Sequence, residues 1–389
     1  MKNLNSALSE LERLIAKLDA HVFQPRAAEM IDRAAIIYFL APSSFLGNAF
    51  VTTIAAELGK KGKKIVLVDD TLLLAPNGVD CAIHTTSHYR SENPAGALAI
   101  NFANTPFVHG FFSELAAVNG MPVVDIVEVL DALQIPVIYQ SASHMREATQ
   151  ARLGDYLALA QKFDDVLSVR TLGAILELRM TLDRRQLLPV LCSLEDEYFS
   201  VYPVGKDVSF SLGHTEVFCD VGAHVGTTIR KLLAATHWRY DHIYAFEPDA
   251  GNFAHLKEGV FKSMTNFTPR NIALSDKAGM LGFAETGTMG SRLDAGGNVQ
   301  VQASTLDEEV RHATFIKMDV EGHETRILRG ARRLITESKP KLAITGYHYA
   351  DDLLDIAALV HEYEPKYRFR LRQHSFYYYD TILYADVLP

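Results

Sequence analysis

Short apolar runs alternate with stretches of helical spacing along most of this 389-residue chain. At the N-terminus Leu4, Leu8, Leu11, Ile15 and Leu18 are separated by charged and polar residues, which predicts one amphipathic helix over residues 1–30. The same 4-3-4-3 spacing is a heptad seam, so the helix either packs within the molecule or pairs two copies as a homodimer. Residues 34–40 form an unbroken apolar run, the turn APSSFLGN follows, and residues 49–58 have helical periodicity until Gly59 and the following lysines break it. A second strand at 65–68 then ends at Asp69-Asp70. This order of strand, turn, helix, strand and acid opens a nucleotide-binding βαβ unit. Further strands are expected at 97–102 and 137–139, with helices near 107–118 and 123–133. A Rossmann-like α/β domain over residues 31–150 accounts for these elements.

Residues 151–212 lose that rhythm. Helical spacing at 156–163 and 172–180 gives way to sequence punctuated by Pro189 and Pro203, as a helical connector would. From 213 to 389 the alternation returns. Strands are predicted at 217–221, 243–246, 272–274, 315–319 and 342–345, with helices near 227–235, 251–260, 324–335 and 353–360. Two closing strand runs, 367–372 and 377–384, leave no room for a helix between them and should pair as an antiparallel hairpin at a sheet edge. The glycine-rich stretch 286–297 falls between the third and fourth strands and reads as a flap or an exposed loop.

Composition narrows the function classes. Hydrophobic residues make up 48% and charged ones 22%, enough for more than one core. Lys and Arg number 38 against 47 Asp and Glu, a net charge of −9, which argues against gripping a nucleic-acid backbone by bulk charge. A small-molecule or glycan partner fits better. Cys81, Cys192 and Cys219 lie far apart with no metal-ligand spacing, and their odd number speaks against a disulfide scaffold. No apolar run reaches the roughly 20 residues of a membrane span, and the first helix lacks the continuous apolar region of a signal peptide. A cytoplasmic protein without a bound metal is the expectation.

Three segments carry chemistry. In VFCDVGAHVGTT a strand ends at Asp220, Gly222 turns the chain beside a ligand, and Gly226 opens a helix whose free N–H groups face the same crevice. A dinucleotide fingerprint needs another glycine where Ala223, His224 and Val225 stand. The spacing suits the amino-acid end of S-adenosylmethionine (SAM), with Asp220 near its cation and His224 as a turn residue or a base. In IYAFEPD, Glu247 stands one βαβ unit later, where an acid receives both ribose hydroxyls, and Pro248 flanks the adenine. In FIKMDVEGHE, Lys317, Asp319 and Glu321 alternate to one side at the sheet edge. Lys317 either neutralises a core acid or serves the site, while Asp319 sits at the strand's carboxyl end, where doubly wound folds place function.

The series DVGAHVG, AFEPD, NIALSD, FIKMDVEGHE with GARRL, then GYHY and DTILYA, resembles the FkbM family of SAM-dependent methyltransferases. The resemblance runs from Leu153 to the end, since DDVLSVRTLGAILELRMT and EDEYFS look like the helical lead-in of bacterial members. It implies a class I methyltransferase fold, a doubly wound, mostly parallel sheet with a C-terminal antiparallel hairpin, preceded here by the Rossmann-like α/β domain. It also implies SAM as methyl donor and O-methylation of a sugar, polysaccharide precursor or natural product. SAM contacts carry over onto Asp220, Gly222, Gly226, Glu247 and Asn271, with Ala223, His224, Thr227, Pro248 and Asp319 beside them. The sequence departs from the family at His323 and at Gln373, which interrupts an Arg-His pair. By position the base is Asp319, His323 or His348, with His348 favoured for basicity. Two alternatives stay open: an NAD(P)-dependent sugar-modifying enzyme, and a non-catalytic nucleotide-binding module.

Overall fold

The computed structural model describes residues 2–91, 95–202, 208–284, 292–293 and 296–387. The first sheet holds β1 (Ile36–Leu40), β2 (Lys64–Val68), β3 (Ala82–His84), β4 (Ala97–Asn101) and β5 (Val123–Asp125). Its order is β3-β2-β1-β4-β5, and every pairing is parallel. β1, β2 and β4 are buried along almost their whole length, as strands covered on both faces must be. Ser44 caps the helix Phe45–Lys60 by accepting from Gly47 N at 3.0 Å. A Cβ at Gly47 would lie 2.0 Å from the Pro42 carbonyl oxygen, so the single glycine of the APSSFLG turn serves close packing.

Two expectations fail in this half. The run from Val123 begins as strand β5, and its helix starts only at Ile126. Asp125 enforces that switch, because its side chain caps Val127 N while Glu128 returns a bond to Asp125 N. Residues 137–139 are no strand; they cross toward the second sheet, where the Tyr139 hydroxyl donates to Glu321 at 2.5 Å.

The second sheet holds β6 (Val217–Val221), β7 (His242–Phe246) and β8 (Phe267–Arg270). The chain then leaves it for a four-stranded sheet of β9 (Ala273–Leu274), β10 (Gly279–Ala284), β11 (Arg292–Leu293) and β12 (Val299–Ser304), ordered β11-β10-β12-β9. It returns as β13 (Phe315–Met318), β14 (Lys341–Thr345), β15 (Arg368–Gln373) and β16 (Thr381–Asp386). The large sheet runs β15-β16-β14-β13-β6-β7-β8. β16 pairs antiparallel with both β14 and β15, and the remaining pairs are parallel. This is the expected class I arrangement with its closing hairpin. The third strand proves to be 267–270 rather than 272–274. Its one-sided polar sequence, ending in Pro269-Arg270, suits an edge and conceals it from a search for apolar runs. Of the expected flap at 286–297, residues 286–291, 294 and 295 lie outside the described residues.

Between the sheets run the helices Ala142–Ala151, Leu153–Ala160 and Val166–Thr181. The first helix, Lys2–Asp19, lays its apolar face on them: Leu11 and Leu18 are buried, and Gly173 admits Leu11 and Leu14. That face therefore packs internally instead of standing as a free seam. Fully buried Arg184 ties the parts together, holding Asp125 of the first sheet through two nitrogens (2.9 and 2.7 Å) and donating to the Phe376 carbonyl beside the closing hairpin. Burial opposes the Asp125 charge, but Arg184 and His109 outweigh it and hold its pKa at about 2. No helix of the described residues is long and apolar enough to cross a membrane.

Candidate active site

Both sheets reverse strand order beside a central strand, and a doubly wound sheet binds ligands at the carboxyl ends of its strands at that point. Here the two switch points face each other across one cavity of about 1100 Å³. Phe45 and Leu46 after β1, with Asn104–Pro106 after β4, form one wall; Val221–His224 after β6 and Asp319–Glu321 after β13 form the opposite one. Tyr139 and the connector residues Glu197 and Tyr198 close the side.

The turn after β6 is built for close approach. Gly222 has φ +78°, and a Cβ there would stand 2.0 Å from the Asp319 carbonyl oxygen. His224 also adopts a left-handed conformation (φ +48°) and donates its backbone N–H to Glu247 Oε2 at 2.7 Å, so it is a turn residue. Asp249 N holds the other oxygen of Glu247 at 2.9 Å. Burial pushes the Glu247 carboxyl up to about 7, against those two amide bonds. Gly222, Ala223, His224, Thr227, Glu247 and Pro248 all line the cavity.

Three expected cofactor contacts stand one layer behind the wall. Asp220 is fully buried and pairs with Lys317 at 3.1 Å. Lys317 reaches the wall, donates to the Gly222 carbonyl at 2.7 Å and so braces the turn. Burial alone would discharge this lysine, but Asp220 and Asp319 outweigh it and keep it protonated. Gly226 packs against Phe261 and Leu256, where a Cβ would come within 2.4 and 2.8 Å. Asn271 donates to the carbonyls of Glu247 (2.8 Å) and Pro248 (3.0 Å), buttressing the acid loop from outside.

The histidine candidates separate cleanly. His323 lines the cavity within hydrogen-bonding distance of Ser275 Oγ (3.0 Å), and burial followed by Arg326 lowers its pKa to about 4, leaving it neutral. His348 has no exposure and does not line the cavity. Glu324 lies 3.1 Å from its Nδ1, with Glu321 at 3.3 Å and Asp319 at 3.7 Å from its Nε2. Burial would neutralise the ring, yet the acids, Glu324 foremost, hold its pKa well above the ordinary value. An imidazolium is a poor proton acceptor, so the basicity expected of His348 gives way to a counter-charge held behind the wall. One donor atom each of Asp319, Glu324 and His348 come within 4.8 Å of one another.

Asp319 accepts from the Tyr198 hydroxyl on Oδ2 at 2.9 Å, while its Oδ1 has no hydrogen-bond partner among the described residues. Burial raises its pKa against the pull of Lys317 and His348. Several wall residues escaped sequence reasoning: Glu197, Tyr198, Arg292, Tyr347, Tyr379 and Asp380. Gln373 explains the last two. Its amide reaches the carbonyls of Ser375, Tyr377 and Tyr379, and its Oε1 accepts from Thr381, so it folds the HSFYYYD loop against the site. Gln373 therefore holds the loop mainly through backbone carbonyls, which residue identities do not reveal.

Residues 220–371 match the family model described as the methyltransferase FkbM domain. The hexuronic acid methyltransferase AglP of Haloferax volcanii is 27% identical over 157 residues, covering 38% of this chain. The chain spans 62% of the length of that curated relative. The crystal structure of methyltransferase FkbM from Methylobacillus flagellatus KT superposes with a TM-score of 0.75 at 22% identity, over 98% of this chain and 99% of that one.

Proposed function

From the match of residues 220–371 to the methyltransferase FkbM domain, we propose that the protein is a SAM-dependent methyltransferase acting on a hydroxyl of a sugar, polysaccharide precursor or natural product. The observation that carries this reading is the convergence of the Gly222 turn, Glu247 and Asp319 on one cavity wall. The residues present fit the cofactor, because Gly222 lets the turn after β6 pack onto the Asp319 carbonyl and line the cavity, and Glu247 stands beside it at the end of the neighbouring strand. Gly222, Ala223, His224 and Thr227 would hold its amino-acid end, with Glu247 at the ribose and Pro248 beside the adenine. When bound, SAM supplies a methyl group made electrophilic by its sulfonium.

The chain's own residues then have to align the acceptor and take its proton. Asp319 is the group for that step: Tyr198 fixes one carboxylate oxygen, the other has no hydrogen-bond partner among the described residues, and burial makes it a better base than an exposed aspartate. His348 keeps the surrounding acids compensated. A glycan acceptor agrees with the relative from Haloferax volcanii, a hexuronic acid methyltransferase. The dinucleotide reading loses its acid, since Asp69 after β2 is saturated by Ser43, Thr71 and the Leu72 amide.

Asp319→Asn and Glu247→Ala test these roles. The first should lower turnover by about two to four orders of magnitude while SAM still binds. The second should chiefly weaken SAM, by up to about a hundredfold for a lost pair of hydrogen bonds. Near wild-type turnover in Asp319→Asn at saturating acceptor would remove the base, and unchanged SAM affinity in Glu247→Ala would remove the cofactor site.

A further inference from the structure

The acceptor end of the cavity combines aromatic faces with carboxylates. Tyr347 and Tyr379 stand at 77° with ring centroids 6.1 Å apart, and Phe45 meets Tyr379 at 85° and 6.0 Å, so three rings form adjoining walls of a corner. Asp319, Asp380, Glu321 and Glu197 share the cavity lining with Tyr347, and after burial their charges are what push its phenol well above the ordinary value.

The nearby cations are committed elsewhere. Lys317 is bound to Asp220 and the Gly222 carbonyl, and Arg292 lies over the Tyr139 ring at 4.7 Å. Lys231 donates to the backbone carbonyl of Glu197 at 2.7 Å. His348 faces Glu321 and Asp319 from behind the wall and lies against the Tyr347 ring there, with centroids 4.1 Å apart, while Tyr347 still lines the cavity. Asp380 is held with φ +59°, a conformation that costs a non-glycine residue energy, while its carbonyl anchors His374 N at 2.9 Å.

Ring faces attract cations, and carboxylates bind them with charge-assisted hydrogen bonds. An anionic sugar would instead set its carboxylate beside Asp319 and Glu321, a like-charge contact that rejects a partner, whereas an ammonium favours ionisation of Glu197 and Asp380, which burial and neighbouring acids hold up at about 8 and about 7. We propose that the acceptor carries an ammonium group beside the hydroxyl to be methylated, as an amino sugar does, and that Tyr347, Asp380 and Glu197 receive that ammonium. The proposal rests on the methyltransferase reading of this cavity. It separates the protein's acceptor class from that of its hexuronic-acid-methylating relative.

The full-length protein, with S-adenosylhomocysteine present to block turnover, is titrated calorimetrically with methyl glycosides of glucosamine, glucose and glucuronic acid. With SAM in its place, kcat/KM is measured on the same three. The glucosaminide should bind at least about tenfold more tightly than the glucoside, and the glucuronide most weakly. Asp380→Asn and, independently, Glu197→Gln should cut the glucosaminide preference by about tenfold or more without altering SAM affinity. No preference for the glucosaminide, a preference for the glucuronide, or a loss confined to SAM affinity in both variants overturns the proposal. Failure of the wild-type protein to bind SAM would instead strike the underlying methyltransferase reading.

Discussion

Replacing His348 with leucine should unbalance the acid cluster behind the site. Glu324 is 1% exposed and faces the imidazole at 3.1 Å, so the variant leaves a buried carboxylate without its counter-charge. Breaking a buried pair in this way costs about 3–5 kcal/mol. Glu324 keeps hydrogen bonds from Thr345 Oγ1 (2.9 Å) and Val320 N (3.1 Å), which places the loss near the lower end, at about 3 kcal/mol. At about 2–4 °C per kcal/mol, the melting temperature falls by roughly 6–12 °C. Adding Glu324→Gln removes the charge that lacked a partner and retains the Thr345 donor, so the double variant should recover about 2 kcal/mol of that loss. Urea unfolding of the four proteins at pH 7 completes the cycle. Losses that add within about 0.5 kcal/mol would refute an ion pair between these residues. The pH dependence of the wild type supplies a sign check. A folded-state imidazole pKa raised above about 6.5 stabilises fully below that value and loses its contribution as pH rises through the folded value. The wild type should therefore be less stable at pH 9 than at pH 6.5, and Glu197 and Asp380, held up at about 8 and about 7, act in the same direction.

Gly222→Ala should abolish the thermal shift produced by SAM, because its Cβ meets the Asp319 carbonyl at 2.0 Å and φ +78° adds about 1–2 kcal/mol of backbone strain; a retained shift would show that the turn tolerates a side chain. Arg184→Met should cost about 3–5 kcal/mol at pH 7 by stranding Asp125. Since Asp125 is held at about 2, that stabilisation is present above about pH 4 and lost as pH falls toward 2, so the gap to wild type should close over this range in acid unfolding curves.

The elements legible in the sequence were those whose apolar runs are long or whose turns need glycine. β1, β2, β4, β6, β7, β13 and β14 and the closing hairpin follow from such runs, and Gly222 and Glu247 from their spacing. β5 was hidden because two valines before a capping aspartate read equally well as the first turn of a helix. The four-stranded sheet was hidden because its strands are short and partly exposed. The acceptor wall was least legible. Glu197, Tyr198 and Asp380 reach the cavity from the connector and the hairpin loop, and no local pattern records that those segments meet β13. His348 shows the complementary failure: its place after β14 was read correctly, but its charge depends on Glu324 and Glu321 through the turn after β13, which spacing does not reveal.

Calorimetric titration of the whole protein with SAM and, separately, with NAD tests the central claim most directly. The cavity built from the Gly222 turn, Glu247 and Asp319 predicts saturable one-site binding of SAM that NAD does not displace. Tighter binding of NAD than of SAM would contradict it.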